Sequence, residues 1–191
     1  MEMKSRIRCF IAIDVEDPLI VNKIRDFQRE LSSVGARLKL VEPWNLHFTL
    51  RFIGEVPLTI VNSIKNELEK IVYNPFEVEL CGVGAFPTIS RPRVVWIGVG
   101  AGSREMEELA RIIDQSLLRA KLPRRRENFV PHLTVARVKA SARSLSGVLK
   151  RLRNLEFGKM EVKNIRLKKS TLTLRGPIYE TLLEKKLIRT N

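Results

Sequence analysis

The chain holds two histidines among 191 residues, and both open the same tetrapeptide, His-x-Thr-x. One copy is His47-Phe48-Thr49-Leu50 and the other His132-Leu133-Thr134-Val135, 85 positions apart (132 − 47). Each is polar at its first and third positions and apolar at its second and fourth. That alternation has the period of a strand, so each His and its Thr should share one face while the apolar pair enters a core. A single strand histidine is most often structural, but here one repeated pattern takes all the imidazole in the chain. Two rings facing one phosphorus make an acid/base pair, because an ordinary pKa of about 6.5 allows one neutral and one protonated ring near neutrality. The neutral ring takes a proton from the attacking oxygen, and the charged ring gives one to the departing oxygen. Thr49 and Thr134 would donate hydrogen bonds to the non-bridging phosphate oxygens, where charge accumulates, although threonine is also an ordinary strand residue. Arg51 continues the His47 and Thr49 face by alternation, and Arg137 closes the second motif strand. Either could clamp phosphate or stand as a solvated rim charge.

Other chemistries fit less well. The two histidines have no carboxylate partner at ligand spacing, so neither a metal nor a cofactor is expected. No Gly-rich loop leads into Lys-Ser/Thr, and no nucleophile elbow is present. Cys9 lies in an apolar strand pattern and Cys81 is the only other cysteine, which reads as reduced, structural thiols. Metal-free phosphodiester chemistry is the best match.

The surrounding pattern supplies the elements. Residues 7 to 14 alternate as a first strand, and Asp17-Pro18 opens a helix with the apolar stripe Ile20, Ile24, Phe27, Leu31 and Val34, ended by Gly35. Strand patterns follow at 37–41 and, with the first motif, at 45–52. A second helix is expected over 57–72. Residues 76–86 and 93–99 read as a hairpin linked by Pro87 to Pro92. Ser103 is expected to cap a third helix striped by Met106, Leu109, Ile113, Leu117 and Ala120. A basic loop, Lys121 to Arg126, leads to the second motif strand at 128–137 and then a short basic helix at 145–152. Strands at 161–168, 170–174 and 178–187 close the chain, with Gly176-Pro177 as a turn. Paired strands with interspersed helices indicate an α+β fold of mostly antiparallel sheet with flanking helices. In both halves a long amphipathic helix precedes a His-x-Thr-x strand. This predicts two similar, pseudo-symmetric lobes meeting at a central cleft. No Pro/Ser-rich linker interrupts them, so residues 1–191 are expected to form one compact bilobal domain.

Lys and Arg number 35 against 21 Asp and Glu, a net charge of +14 with a pI near 10.3. Such an excess points to an anionic partner, nucleic acid before a membrane surface, over a charged heat-adapted surface. No signal peptide precedes Arg6, and no apolar run is long enough to cross a bilayer, so a cytoplasmic protein without membrane attachment is expected.

At these residues the chain resembles the two-histidine (2H) phosphoesterases. Within them it is similar to the bacterial and archaeal RNA 2′,3′-cyclic phosphodiesterases of the 2′-5′ RNA ligase family. The likeness runs through residues 8–14, 45–54 around the first motif, Arg91-Pro92-Arg93-Val94-Val95-Trp96, 129–137 around the second motif, and Gly176-Pro177-Ile178-Tyr179. The resemblance implies a bilobal fold with a pseudo-twofold axis and a basic cleft. It implies hydrolysis of a terminal 2′,3′-cyclic phosphate on RNA to a 2′-phosphate, with His132 as proton acceptor activating water and His47 as proton donor to the departing 3′-oxygen. Reversal would form a 2′-5′ linkage. RNA is the implied partner, tRNA fragments among the candidates, because only a 2′-hydroxyl permits the cyclic ester. A monomer is expected. Two alternatives stay open: a phosphodiesterase for a small cyclic nucleotide or cyclic ADP-ribose phosphate, and a non-catalytic RNA-binding module. Phe48 should be core. Phe10 is expected to pack in the core rather than stack a base. Arg124-Arg125-Arg126 and the Arg91-Pro92-Arg93 loop are either guides for an RNA strand or solvated charges.

Overall fold

The first strand pattern becomes β1 (Arg6–Asp14), in a computed structural model that describes residues 6–140, 143–174 and 176–189. Asp17 caps α1 (Pro18–Ser32), its Oδ1 accepting from the amides of Leu19 at 2.9 Å and Ile20 at 3.2 Å. Then come β2 (Arg37–Leu40), a 3-10 turn (Pro43–Asn45), β3 (His47–Pro57) and α2 (Leu58–Glu69). The second half runs β4 (Phe76–Thr88), β5 (Arg91–Val99), α3 (Ser103–Arg119), β6 (His132–Ala140), α4 (Arg143–Arg151) and β7 (Glu156–Val162). A long hairpin, β8 (Asn164–Thr173) and β9 (Gly176–Lys186), ends the chain.

Several boundaries differ from the sequence pattern: β3 runs on to Pro57, and β6 begins at His132 rather than at residue 128. Ser103 does not cap α3; the N-cap is Gly102, in the left-handed region at φ 83°, where a Cβ would collide with the Glu77 carbonyl. The expected strand at 161–168 divides at Lys163, so Glu161 belongs to β7 while residues 164–173 form one continuous β8. The β4–β5 hairpin also extends inward to Thr88 and Arg91, leaving only a two-residue turn.

All recorded strand pairs are antiparallel, and the sheet order is β7-β4-β5-β6-β3-β1-β8-β9, with β2 also on β6. The two motif strands, β3 and β6, are neighbours at the centre, joined where Phe48 faces Leu133. Both residues are fully buried, as are Leu50 and Val135, so the apolar half of each motif anchors the core. The helices cross over. From between β1 and β2, α1 packs on β6 and β7; from between β5 and β6, α3 packs on β3 and α2.

Candidate active site

Antiparallel pairing at Phe48 and Leu133 sets the geometry of the site. Residues flanking that pair fall opposite one another, His47 across from Thr134 and Thr49 across from His132. All four line one cleft of about 960 Å³. The sequence-predicted quartet is therefore brought together, each histidine facing the other strand's threonine.

Both rings are held in the same way. His47 Nδ1 lies 2.7 Å from the Asn45 carbonyl, and His132 Nδ1 lies 2.7 Å from the Val130 carbonyl, each two residues upstream. A carbonyl oxygen only accepts, so each Nδ1 carries hydrogen and donates. That fixes the tautomer and leaves Nε2 of each ring for proton exchange. Aromatic rings buttress the imidazoles. His47 sits against Phe10 (4.9 Å between centroids) and Tyr179 (5.3 Å), and His132 sits edge-on to Phe86 (5.0 Å) with Trp96 at 6.4 Å. Phe10 is thus a buried support for His47. Burial pushes the His47 pKa below its ordinary value; the Asn45 carbonyl and the Asp14 carboxylate pull it up, and Lys168 and Arg137 push it down. Asp14 is the β1 residue paired with His47, and its Oδ2 accepts from Lys168 Nζ and Arg166 Nη1, each at 2.6 Å.

The two arginines part company. Arg137 lines the cleft, whereas Arg51 does not. Simple alternation fails because Leu50 is an extra residue in β3: Ala12 pairs with Thr49 but Ile11 with Arg51. The bulge turns Arg51 to the helix side, where it reaches Asp114 at 3.4 Å and donates to the Pro123 carbonyl at 2.7 Å. Phe52 takes the cleft position instead. Val135 is the corresponding extra residue in β6, since Trp96 pairs with Thr134 but Val95 with Ala136. That second bulge brings Arg137 onto the His132 face. Arg125 turns inward to Asp114 at 2.9 Å, Arg91 and Arg93 belong to β5 rather than to a loop, and these two with Arg124 and Arg126 lie outside the cleft.

Sequence reasoning missed several residues that line the cleft: Arg8, Lys39, Trp44, Asn45, Phe52 and Thr173. Asn45 matters twice, through the carbonyl that orients His47 and through a side-chain amide that donates to the Pro177 carbonyl at 3.3 Å. The offset of 85 positions applied to the motif flanks would have paired Asn45 with Val130 and Trp44 with Phe129. Among the described residues no three His, Cys, Asp or Glu side chains gather as metal ligands, and no helix is long and apolar enough to cross a membrane.

Several known proteins are similar to this chain. An Aeropyrum pernix protein named RNA 2′,3′-cyclic phosphodiesterase is 41% identical over 170 residues, 87% of this chain and 96% of that protein. One of the same name from Archaeoglobus fulgidus is 42% identical over 92% of this chain and 98% of its own. Among solved structures, E. coli LigT complexed with 3′-AMP superposes with a TM-score of 0.78 at 25% identity, covering 96% of this chain and 99% of its own. A sequence model of the 2′-5′ RNA ligase superfamily matches residues 15–172, a span that takes in both motif strands, and the chain belongs to that superfamily.

Proposed function

We propose that this protein hydrolyses terminal 2′,3′-cyclic phosphates on RNA to 2′-phosphates, using His132 and His47 as a general base and general acid without a metal. The observation that carries the reading is the crossed quartet at the sheet centre, two imidazoles with fixed tautomers and two threonines lining one cleft. Relatives at 41% and 42% identity that carry the name RNA 2′,3′-cyclic phosphodiesterase support the substrate class. So does the net charge of +14, which favours a polyanion over a small cyclic nucleotide.

In the proposed reaction, neutral His132 Nε2 takes a proton from water as the water oxygen bonds to phosphorus. The bond from phosphorus to the 3′-oxygen breaks, and protonated His47 Nε2 gives that oxygen its proton. The product is a 3′-hydroxyl and a 2′-phosphate. Thr49 and Thr134 hydrogen-bond the non-bridging oxygens, and Arg137 supplies positive charge at the cleft wall. The strand neighbours of the two rings differ. His47 is paired with Asp14, whose carboxylate favours a protonated ring against the burial that lowers its pKa, whereas His132 is paired with Gly98. In the reverse direction the roles exchange, which would make a 2′-5′ linkage. Every group named comes from one chain, so residues 1–191 would work as one unit and a monomer suffices.

The test is turnover of a short RNA ending in a 2′,3′-cyclic phosphate, in EDTA, by the parent, His47→Ala and His132→Ala. Conversion to the 2′-phosphate by the parent, with each variant slower by about 100- to 10,000-fold, is expected. A folded parent that leaves the cyclic end intact would sink the proposal.

A further inference from the structure

Trp44 stands three residues before His47, in the 3-10 turn, and lines the cleft with 75% of its surface exposed. Its counterpart three residues before His132 is Phe129, which packs beneath Arg125 with the guanidinium carbon 5.0 Å from the ring centroid and does not line the cleft. The second motif thus uses the aromatic residue of its flank in packing, and the first presents its own to the cleft. Leu172 and Ile178 of the β8–β9 hairpin line the same cleft, 67% and 62% exposed. The 3-10 turn is tied to that hairpin through Asn45 and the Pro177 carbonyl.

Resting on the hydrolytic reading, the polarity of the reaction says what this surface meets. In an in-line displacement, the attacking water and the departing oxygen lie on opposite sides of phosphorus. Water enters beside His132 and the 3′-oxygen leaves beside His47, so the terminal ribose and its base lie on the His47 side. We infer that Trp44 is a stacking platform for the base of the nucleotide that carries the cyclic phosphate, with Leu172 and Ile178 forming the apolar rim of the slot. Stacking on an indole tolerates any base, because every base has a π face. Trp44 therefore selects for a nucleotide end over a bare cyclic phosphate without reading sequence.

Binding decides this without turnover. The probes are a labelled short single-stranded RNA ending in a 2′-phosphate and the same RNA abasic at its last nucleotide, followed by fluorescence anisotropy. Trp44→Ala should weaken binding of the intact RNA about ten-fold, and Trp44→Phe should stay within about three-fold of the parent. Removing the base should weaken the parent about ten-fold, while Trp44→Ala binds both RNAs alike. As a second measurement, intact RNA should quench tryptophan emission of the parent but not of Trp44→Phe, which keeps Trp96. Binding of the intact RNA by Trp44→Ala within about two-fold of the parent would overturn the inference, as would continued discrimination against the abasic end. A parent that binds neither RNA overturns it too. Hydrolysis of the cyclic end by the parent is measured alongside; its absence would sink the hydrolytic reading and leave the Trp44 comparison to the binding data.

Discussion

The two motif strands carry the same device and brace it with different chemistry. Each breaks its pairing by one residue just after the threonine, at Leu50 in β3 and Val135 in β6. A bulge leaves a carbonyl outside the ladder that must find a donor. The Leu50 carbonyl accepts from the Arg125 guanidinium, which with Arg51 converges on Asp114. The Val135 carbonyl accepts from the Val41 amide at 2.9 Å and from the buried Gln28 side chain on α1, also at 2.9 Å. One brace is a half-enclosed ion cluster, the other a neutral amide. The site requires the bulge, because it places Phe52 and Arg137 on the cleft wall; what satisfies the carbonyl is free to differ. The choice has a consequence at the next position. Arg125 also covers Phe129, the residue whose position matches that of Trp44.

The largest effect should come from making the two histidines unequal. On the cyclic RNA end both substitutions slow turnover, but a 4-nitrophenyl phosphodiester releases a phenolate that needs no proton. On that substrate His47→Ala should recover most of the parent rate, while His132→Ala stays down by about 100-fold or more. Equal losses on both substrates would break the assignment of donor and acceptor.

The braces come next. Asp114→Asn leaves Arg51 and Arg125 without their carboxylate, both largely enclosed, and should cost roughly 3–5 kcal/mol, towards the lower figure because Asp114 keeps some solvent. Gln28→Leu removes the donor to the Val41 and Val135 carbonyls. It should cost about 1–3 kcal/mol, towards the lower figure because Val135 keeps the Val41 amide. Urea unfolding measures both. A Gln28 variant destabilised as much as the Asp114 variant would mean that the difference between ionic and neutral bracing carries no energetic weight.

These braces mark where the sequence stopped being legible. Period-two alternation located both motifs, and Phe48 and Leu133 are buried as that pattern requires. Alternation could not foresee Leu50 and Val135 as extra residues, because a bulge depends on the partner strand's register, which is set by tertiary pairing. Arg51 was misplaced for that reason alone. Ile20, Ile24, Phe27 and Leu31 of α1 were readable as its buried stripe, but Val34 falls past the helix end, buried Gln28 was not foreseen, and neither was the packing on β6 and β7 of the other half. Gly102 displaced Ser103 as the cap because the backbone there passes too close to Glu77 for a side chain. Trp44 was readable only as a turn, since its meaning rests on the contrast with Phe129.

The smallest effect, a shift in pH profile, is also the finest test of the contrast between the lobes, because Asp14 faces His47 where Gly98 faces His132. A proton donor works only while protonated, so activity falls as pH rises through the His47 pKa. Burial holds that pKa below its ordinary value in the free enzyme, and the alkaline limb of kcat/KM should therefore lie below about 6.5. The bound phosphodiester adds a negative charge beside the ring and raises the pKa, so the alkaline limb of kcat should lie at higher pH. Asp14 raises the His47 pKa and Lys168 lowers it. Asp14→Asn should accordingly move the kcat/KM limb to lower pH, and Lys168→Met should move it to higher pH. The two substitutions break the same 2.6 Å ion pair, so a general loosening of the site would shift both profiles alike. Opposite shifts can come only from opposite charges acting on one titrating ring, and parallel shifts would remove His47 as the proton donor seen in that limb.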